Sequence, residues 1–238
     1  MKKVIHKADS RGKADHGWLK VNHTFSFADY YDPQRVHFGA LRVLNDDTIA
    51  AGRGFDTHPH DNMEIITIPL YGDLEHKDSM GNSGVISEGE IQVMSAGTGI
   101  QHSEYNKNSD KEVKVLQIWV FPNKKDVTPR YDQLSIKDLE KENQLFQIVS
   151  PKKEDMGSWI HQEAWFQMGN LKKGRTIDYI LNGKNHGVYI FIIEGNLEVD
   201  ESVLYKRDGI GISETNRVNI KILADSKVLI IEIPMHIN

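Results

Sequence analysis

The sequence predicts an all-β protein built from two β-barrels in one chain. Three observations carry that prediction. Short apolar runs are separated by turn signals such as Tyr71-Gly-Asp73, Ser79-Met-Gly-Asn-Ser-Gly84, Ser87-Glu-Gly-Glu90 and Ala96-Gly-Thr-Gly99, the punctuation of a sandwich or barrel. The second half echoes the first, since Ile66-Thr-Ile-Pro-Leu-Tyr-Gly72-Asp-Leu-Glu75 returns as Tyr189-Ile-Phe-Ile-Ile-Glu-Gly195-Asn-Leu-Glu198. Histidines and a glutamate also recur at the i, i+2 spacing that puts side chains on one face of a strand.

The elements follow in order. His37-Phe-Gly-Ala-Leu-Arg-Val-Leu44 reads as a strand, Asn45-Asp-Asp47 as the hairpin turn after it, and 48–55 as the returning strand. Residues 58–70 read as one strand in which His58, His60, Asn62, Glu64, Ile66, Ile68 and Leu70 share a face. That layout suits a barrel with a polar mouth and an aliphatic floor. Pro59 and Pro69 mark an edge or a bulge. Residues 1–125 are assigned to an N-terminal barrel and 126–150 to a polar linker with a helical turn over 135–142. A second barrel spans 151–238. Aligning Gly72 with Gly195 sets Leu181 and Gly183 opposite His58 and His60. No histidine lies between Gly187 and Met235, so the second barrel is expected to be metal-free.

Composition narrows the function classes. With 238 residues, 39% of them hydrophobic, the chain can bury a sizeable core. A formal net charge of −5 argues against a nucleic-acid surface. The absence of cysteine removes disulfides, thiolate nucleophiles, iron–sulfur clusters and cysteine-ligated zinc together. No apolar run approaches the ~20 residues that cross a bilayer. The N-terminus turns charged too early for a secretory signal. The expectation is a soluble, cytoplasmic monomer with no membrane or direct nucleic-acid partner. Neither a Gly-x-Ser-x-Gly elbow nor a phosphate-binding glycine motif is present.

The chemistry-bearing stretch is 54–104. It opens with Gly54-Phe-Asp-Thr-His58-Pro-His60 and closes with Gly99-Ile-Gln-His102-Ser-Glu104. If the two ends lie side by side, three imidazoles and one carboxylate converge on a single ion. Such a set suits a divalent transition metal, and four protein ligands on a six-coordinate ion leave two positions open. An open site favours iron, with nickel, manganese, cobalt or copper as alternatives, and the same set can hold tetrahedral zinc. Glu64 shares the histidines' parity, so it either approaches the metal, orients a ligand, or is a buried acid bonded to backbone. His23, His37, His76 and His186 are read as structural or exposed. His16 and the Trp18 region could line a mouth, although no spacing places them there.

At these residues the sequence resembles a known family. Residues 54–72 carry the pattern Gly54-(x)3-His58-x-His60-(x)3-Glu64-(x)7-Gly72, which resembles the first cupin motif. Thr57-His58-Pro-His60, then Met94-Ser-Ala-Gly-Thr-Gly-Ile-Gln-His102-Ser-Glu104-Tyr, then Leu116-Gln-Ile-Trp-Val120, resemble the pirin family more narrowly. The resemblance implies a bicupin, two jelly-roll barrels with a metal only in the first. It places the ligands on His58, His60, His102 and Glu104, around the Fe(II) that the open site favours. It also implies quercetin 2,3-dioxygenase-type activity on a flavonol-like substrate with oxygen, Glu104 acting as the base and Glu64 in reserve. The other implied role is a metal- or redox-responsive regulatory binding protein.

Overall fold

The computed structural model describes residues 1–237. In chain order the strands of the first half are β1 (Lys2–His6), β2 (Gly12–Asp15), β3 (Leu19–His23), β4 (Leu41–Ile49), β5 (Gly54–His60), β6 (Glu64–Tyr71), β7 (Asp73–Asp78), β8 (Ser83–Ser87), β9 (Glu90–Ser95), β10 (Ile100–Asn106) and β11 (Val113–Val120). The second half holds β12 (Arg130–Ser135), β13 (Leu145–Ser150), β14 (Ser158–Trp159), β15 (Trp165–Leu171), β16 (Thr176–Ile180), β17 (His186–Glu194), β18 (Asn196–Val199), β19 (Ser202–Tyr205), β20 (Gly209–Ser213), β21 (Arg217–Ile222) and β22 (Ser226–Pro234). The fold is the expected all-β bicupin.

Each half pairs a seven-stranded sheet with a four-stranded one. The first half has the orders β12-β9-β6-β11-β4-β3-β2 and β5-β10-β7-β8, and the second has β1-β20-β17-β22-β15-β13-β14 and β16-β21-β18-β19. Read position by position, the two sets of orders match. One apolar core joins the two large sheets: Ile66, Ile68, Leu116 and Ile118 from one side meet Phe166, Phe191, Leu229 and Ile231 from the other. The opposite face of each large sheet packs toward its own small sheet, around Val21, Leu74 and Val115 in the first barrel and Val188, Ile190 and Ile230 in the second.

Three local expectations are overturned. The stretch read as a linker contains two strands, β12 on β9 and β13 on β15, and residues 136–142 form turns with no helix. Moreover β1, the first strand of the chain, pairs with β20 of the second half. Each half is thus edged by the strand that precedes the other half, and local patterning carries no trace of such long-range pairing.

Asn45-Asp46-Asp47 is the middle of β4, not a turn. Two side chains of the triplet have tertiary partners in the strand, and the third faces the interior. Asn45 bonds the His23 ring at 3.0 Å, Asp46 faces the other way toward Arg11 and Arg207, and Asp47 points inward. Tertiary partners override the turn propensity of these residues.

The strand expected over 58–70 is broken at 61–63. Asn62 takes a left-handed φ of 44°. It is held there by its amide N–H on the Gly97 carbonyl and by side-chain hydrogen bonds with Asp126. The break sends β5 to the small sheet and β6 to the large one. Parity therefore does not carry across it: Ile66 and Ile68 face the other barrel, while Ile65 and Thr67 face inward.

Candidate metal centre

β5 and β10 run antiparallel side by side, with His58 directly opposite His102 and His60 opposite Ile100. Alternation within each strand then aims His58, His60 and His102 into one barrel. The three ring centroids lie 4.4–4.9 Å apart. The Nε2 atoms of His60 and His102 face each other at 2.9 Å. His58 donates its Nδ1 hydrogen to the Asp56 carbonyl at 2.7 Å, which leaves the Nε2 lone pair free.

The electrostatics keep the His60 and His102 rings neutral. Burial, aided by the neighbouring His58, lowers His60 to about 4. Burial and the surrounding histidines lower His102 to about 2. Neutral imidazoles offer lone pairs at physiological pH, as metal ligation requires.

Glu104 lies on the same strand beyond a bulge between His102 and Glu104. It is fully buried, and burial lifts its carboxyl to about 7 against hydrogen bonds from Thr67 and Gln117. Gln117 Nε2 donates to Glu104 at 2.8 Å and the Thr67 hydroxyl at 3.4 Å. His58, His60 and His102 form one cluster of donor atoms within 4.8 Å, and Glu104 shares a second with His102 and His76.

His76, expected to be structural or exposed, is fully buried behind His102. Its Nδ1 accepts from Gln92 Nε2 at 3.1 Å and its Nε2 hydrogen goes to Asp78 at 3.2 Å. Both nitrogens are committed, so in this arrangement His76 supports the site from behind.

Glu64 is placed elsewhere. It accepts from the Ser95 hydroxyl at 2.7 Å and from the His161 backbone, at the junction of the two halves, where burial lifts it to about 7. It does not line the cavity in front of the histidines. The reserve-base reading falls because it assumed an unbroken strand.

That cavity is about 750 Å³. Trp18, Phe27, Phe55 and Trp119 give it aromatic walls, and His16 stands among its lining residues, as the sequence had left open. Across it runs a polar belt that sequence reasoning missed. His23, Asn45, Gln117, Thr67 and Gln92 are consecutive cross-strand partners, one residue from each of five neighbouring strands. The belt holds Glu104 through Gln117 and Thr67 and holds His76 through Gln92. Its sequence signal was a lone polar residue inside an apolar run, Gln117 in Val115-Leu-Gln-Ile-Trp119, Thr67 in Ile65-Ile-Thr-Ile68 and Gln92 in Ile91-Gln-Val-Met94.

The donor set fits a divalent transition ion. Ligand atoms ~2.1 Å from one ion and at right angles to each other are about 3 Å apart, close to the separation of the His60 and His102 Nε2 atoms. All four candidate ligands are nitrogen or oxygen donors, three of them imidazoles with a buried carboxyl beside them.

Comparison with known proteins agrees with this architecture. Residues 4–120 match the family model described as Pirin, and 147–233 match that of the quercetinase C-terminal cupin domain. The chain is 42% identical over 231 residues to a quercetin 2,3-dioxygenase of Escherichia coli, covering 97% of this chain and 98% of that protein. It is 39% identical over 225 residues to a pirin-like protein of Caulobacter vibrioides, covering 94% and 96%. The crystal structure of the bacterial pirin YhhW of Escherichia coli in complex with nickel(II) superposes with a TM-score of 0.94 at 40% identity, over 99% of this chain and all of that one.

Proposed function

The chain belongs to the pirin family, and on that premise we propose that it is a metal-dependent dioxygenase opening the central ring of flavonols such as quercetin, with release of carbon monoxide. The observation that carries the reading is the convergence of three imidazoles beside Glu104, at the wall of an aromatic-lined cavity. His58, His60, His102 and Glu104 would hold one divalent ion. Iron(II) is the first choice for an open nitrogen–oxygen site, and the nickel(II) complex of the Escherichia coli relative supports a divalent ion in general. Bound there, the ion would act as a Lewis acid on the flavonol's 3-hydroxyl and 4-carbonyl oxygens.

The protein's own groups do the rest. Glu104, the buried carboxyl beside the imidazoles, is the base that takes the 3-hydroxyl proton. Gln117 and Thr67 fix its orientation. Trp18, Phe27, Phe55 and Trp119 clasp a flat ligand and exclude water from it. Both atoms of oxygen enter the depside product, and one ring carbon leaves as carbon monoxide.

The test is to load the protein with iron(II), bind quercetin without oxygen, then admit oxygen. Carbon monoxide and the depside should appear in equal amounts. A His58→Ala/His102→Ala double variant that matched the wild-type rate would sink the proposal.

A further inference from the structure

Asp47 has no explanation in the chemistry above. It sits in an interior row of the large sheet between Val21 and Val115, its cross-strand partners on either side. Its neighbours along the same floor are Leu19, Ile49 and Val113. A valine would complete that row. The chain instead keeps a carboxyl there that is 3% exposed, and its Oδ1 has no hydrogen-bond partner. The residue lines the cavity. A buried polar atom without a partner is rare and asks for one.

Register fixes its level relative to the histidines. Along β11 the interior residues are Trp119, Gln117 and Val115, each about 7 Å from the next. Trp119 packs against His60, with ring centroids 4.9 Å apart, and Gln117 donates to Glu104. Val115 pairs with Asp47. Read off β11, the imidazoles, Glu104 and Asp47 therefore occupy three successive levels of the barrel, the first two carried by the small sheet and Asp47 by the large one. A ligand held at the top by the imidazole cluster and lying down the aromatic walls presents its far end to Asp47.

Resting on the dioxygenase reading, we propose that Asp47 is the specificity residue of the cavity, pairing with a phenolic hydroxyl on the part of the ligand remote from the metal centre. The substrate class is thereby narrowed to aromatic ligands hydroxylated at both ends. Burial, with Asp46 and Glu104 nearby, lifts the Asp47 carboxyl well above its ordinary range. A neutral carboxyl both donates and accepts, as a hydroxyl partner requires. A site built to bond a hydroxyl rejects the analogue that lacks it, because its own polar group is then left unpaired.

The experiment uses full-length protein with its metal, without oxygen, and reads ligand binding by quenching of tryptophan fluorescence. The probes are quercetin, the flavonol lacking pendant-ring hydroxyls, and 4-methylcatechol. The variants are Asp47→Val, which completes the aliphatic row, and Asp47→Asn, which keeps a donor and an acceptor. Wild type should prefer quercetin over the deoxygenated flavonol by about tenfold or more. Asp47→Val should abolish that preference, and weaken 4-methylcatechol binding similarly, at unchanged metal content and equal or higher thermal stability. Asp47→Asn should restore most of it.

An Asp47→Val variant that keeps the wild-type preference overturns the proposal, even if wild type turns over quercetin. Loss of catechol binding in Asp47→Val, alongside a wild type that turns over no flavonol, supports the role of Asp47 and overturns the dioxygenase reading. Absence of binding by all three probes overturns both.

Discussion

The two barrels are built on one plan and differ in what fills them. Gly72 and Gly195 both take positive φ, and the bulge between Pro69 and Tyr71 on β6 recurs between Ile192 and Glu194 on β17. With that register fixed, Thr67, Gln117 and Gln92 of the polar belt correspond to Ile190, Ile230 and Ile210. On the small sheets, His58, His102, Glu104 and His76 correspond to Tyr179, Val218, Ile220 and Val199. The second barrel lacks the candidate ligands and also the hydrogen-bond donors that would support them. A metal centre is thus a matter of two layers of side chains, and in the second barrel every counterpart named except Tyr179 is aliphatic.

The carboxylates show the same contrast. Glu104 in the first barrel is underprovided with donors and lifted to about 7. Glu232 in the second is equally buried, and burial alone would lift it. It is nonetheless held below its ordinary value by the His186 ring, the Gly183 and Asn182 amides and the Asn182 side chain. One carboxyl is left with few donors and the other is anchored by many.

Exchanging belt residues should break the comparison most visibly. Ile230→Gln places an amide beside Ile190, where the Glu232 carboxyl two residues along the strand is already engaged by His186, Asn182 and Gly183, and should destabilise the protein by about 3–5 kcal/mol in chemical denaturation. The reverse exchange, Gln117→Ile, should leave metal-free stability within about 1 kcal/mol. It should weaken metal affinity about 10–100-fold, since Glu104 loses its better donor. Equal stability costs for the two would mean that the barrels' interiors are not specialised.

The pH response sharpens the contrast by sign. Glu104 keeps its proton in the folded state between 4.5 and about 7, where the unfolded chain has released it. Its contribution is therefore full below 4.5 and is lost as pH rises through 7. In metal-free protein, Glu104→Gln should remove that decline and gain about 2–3 kcal/mol at pH 8. Glu232, whose folded value is depressed, contributes in the opposite sense. Its stabilisation is present above 4.5 and lost as pH falls below it. Urea melts at pH 4, 6 and 8 on Glu104→Gln and Glu232→Gln read both signs, and parallel profiles would refute the distinction.

Much of this was legible because it is local. The i, i+2 pairs at 58, 60 and at 102, 104 need only strand alternation to share a face, and β5 and β10 do pair as expected. The echo around Gly72 and Gly195 is likewise a matter of neighbouring residues. What depended on distant partners was not legible. Counting back from the glycines put Leu181 and Gly183 opposite His58 and His60, whereas strand pairing puts Tyr179 opposite His58. Sixteen positions separate Tyr179 from Gly195 and fourteen separate His58 from Gly72, so the intervening connection differs in length. The Asn62 break, which moved Glu64 to the junction of the barrels, depends on Gly97 and Asp126. The belt escaped notice because its members come from five strands and meet only when the sheet is assembled.

The central claim is that one barrel holds an ion and its twin does not. Metal content per chain after reconstitution with iron(II) or nickel(II) and removal of excess ion, measured on wild type, His58→Ala/His102→Ala and His186→Ala, tests it most directly. The account predicts one ion per chain in wild type and in His186→Ala, and none in the double variant. Two ions per wild-type chain, or one retained by His58→Ala/His102→Ala, would contradict it.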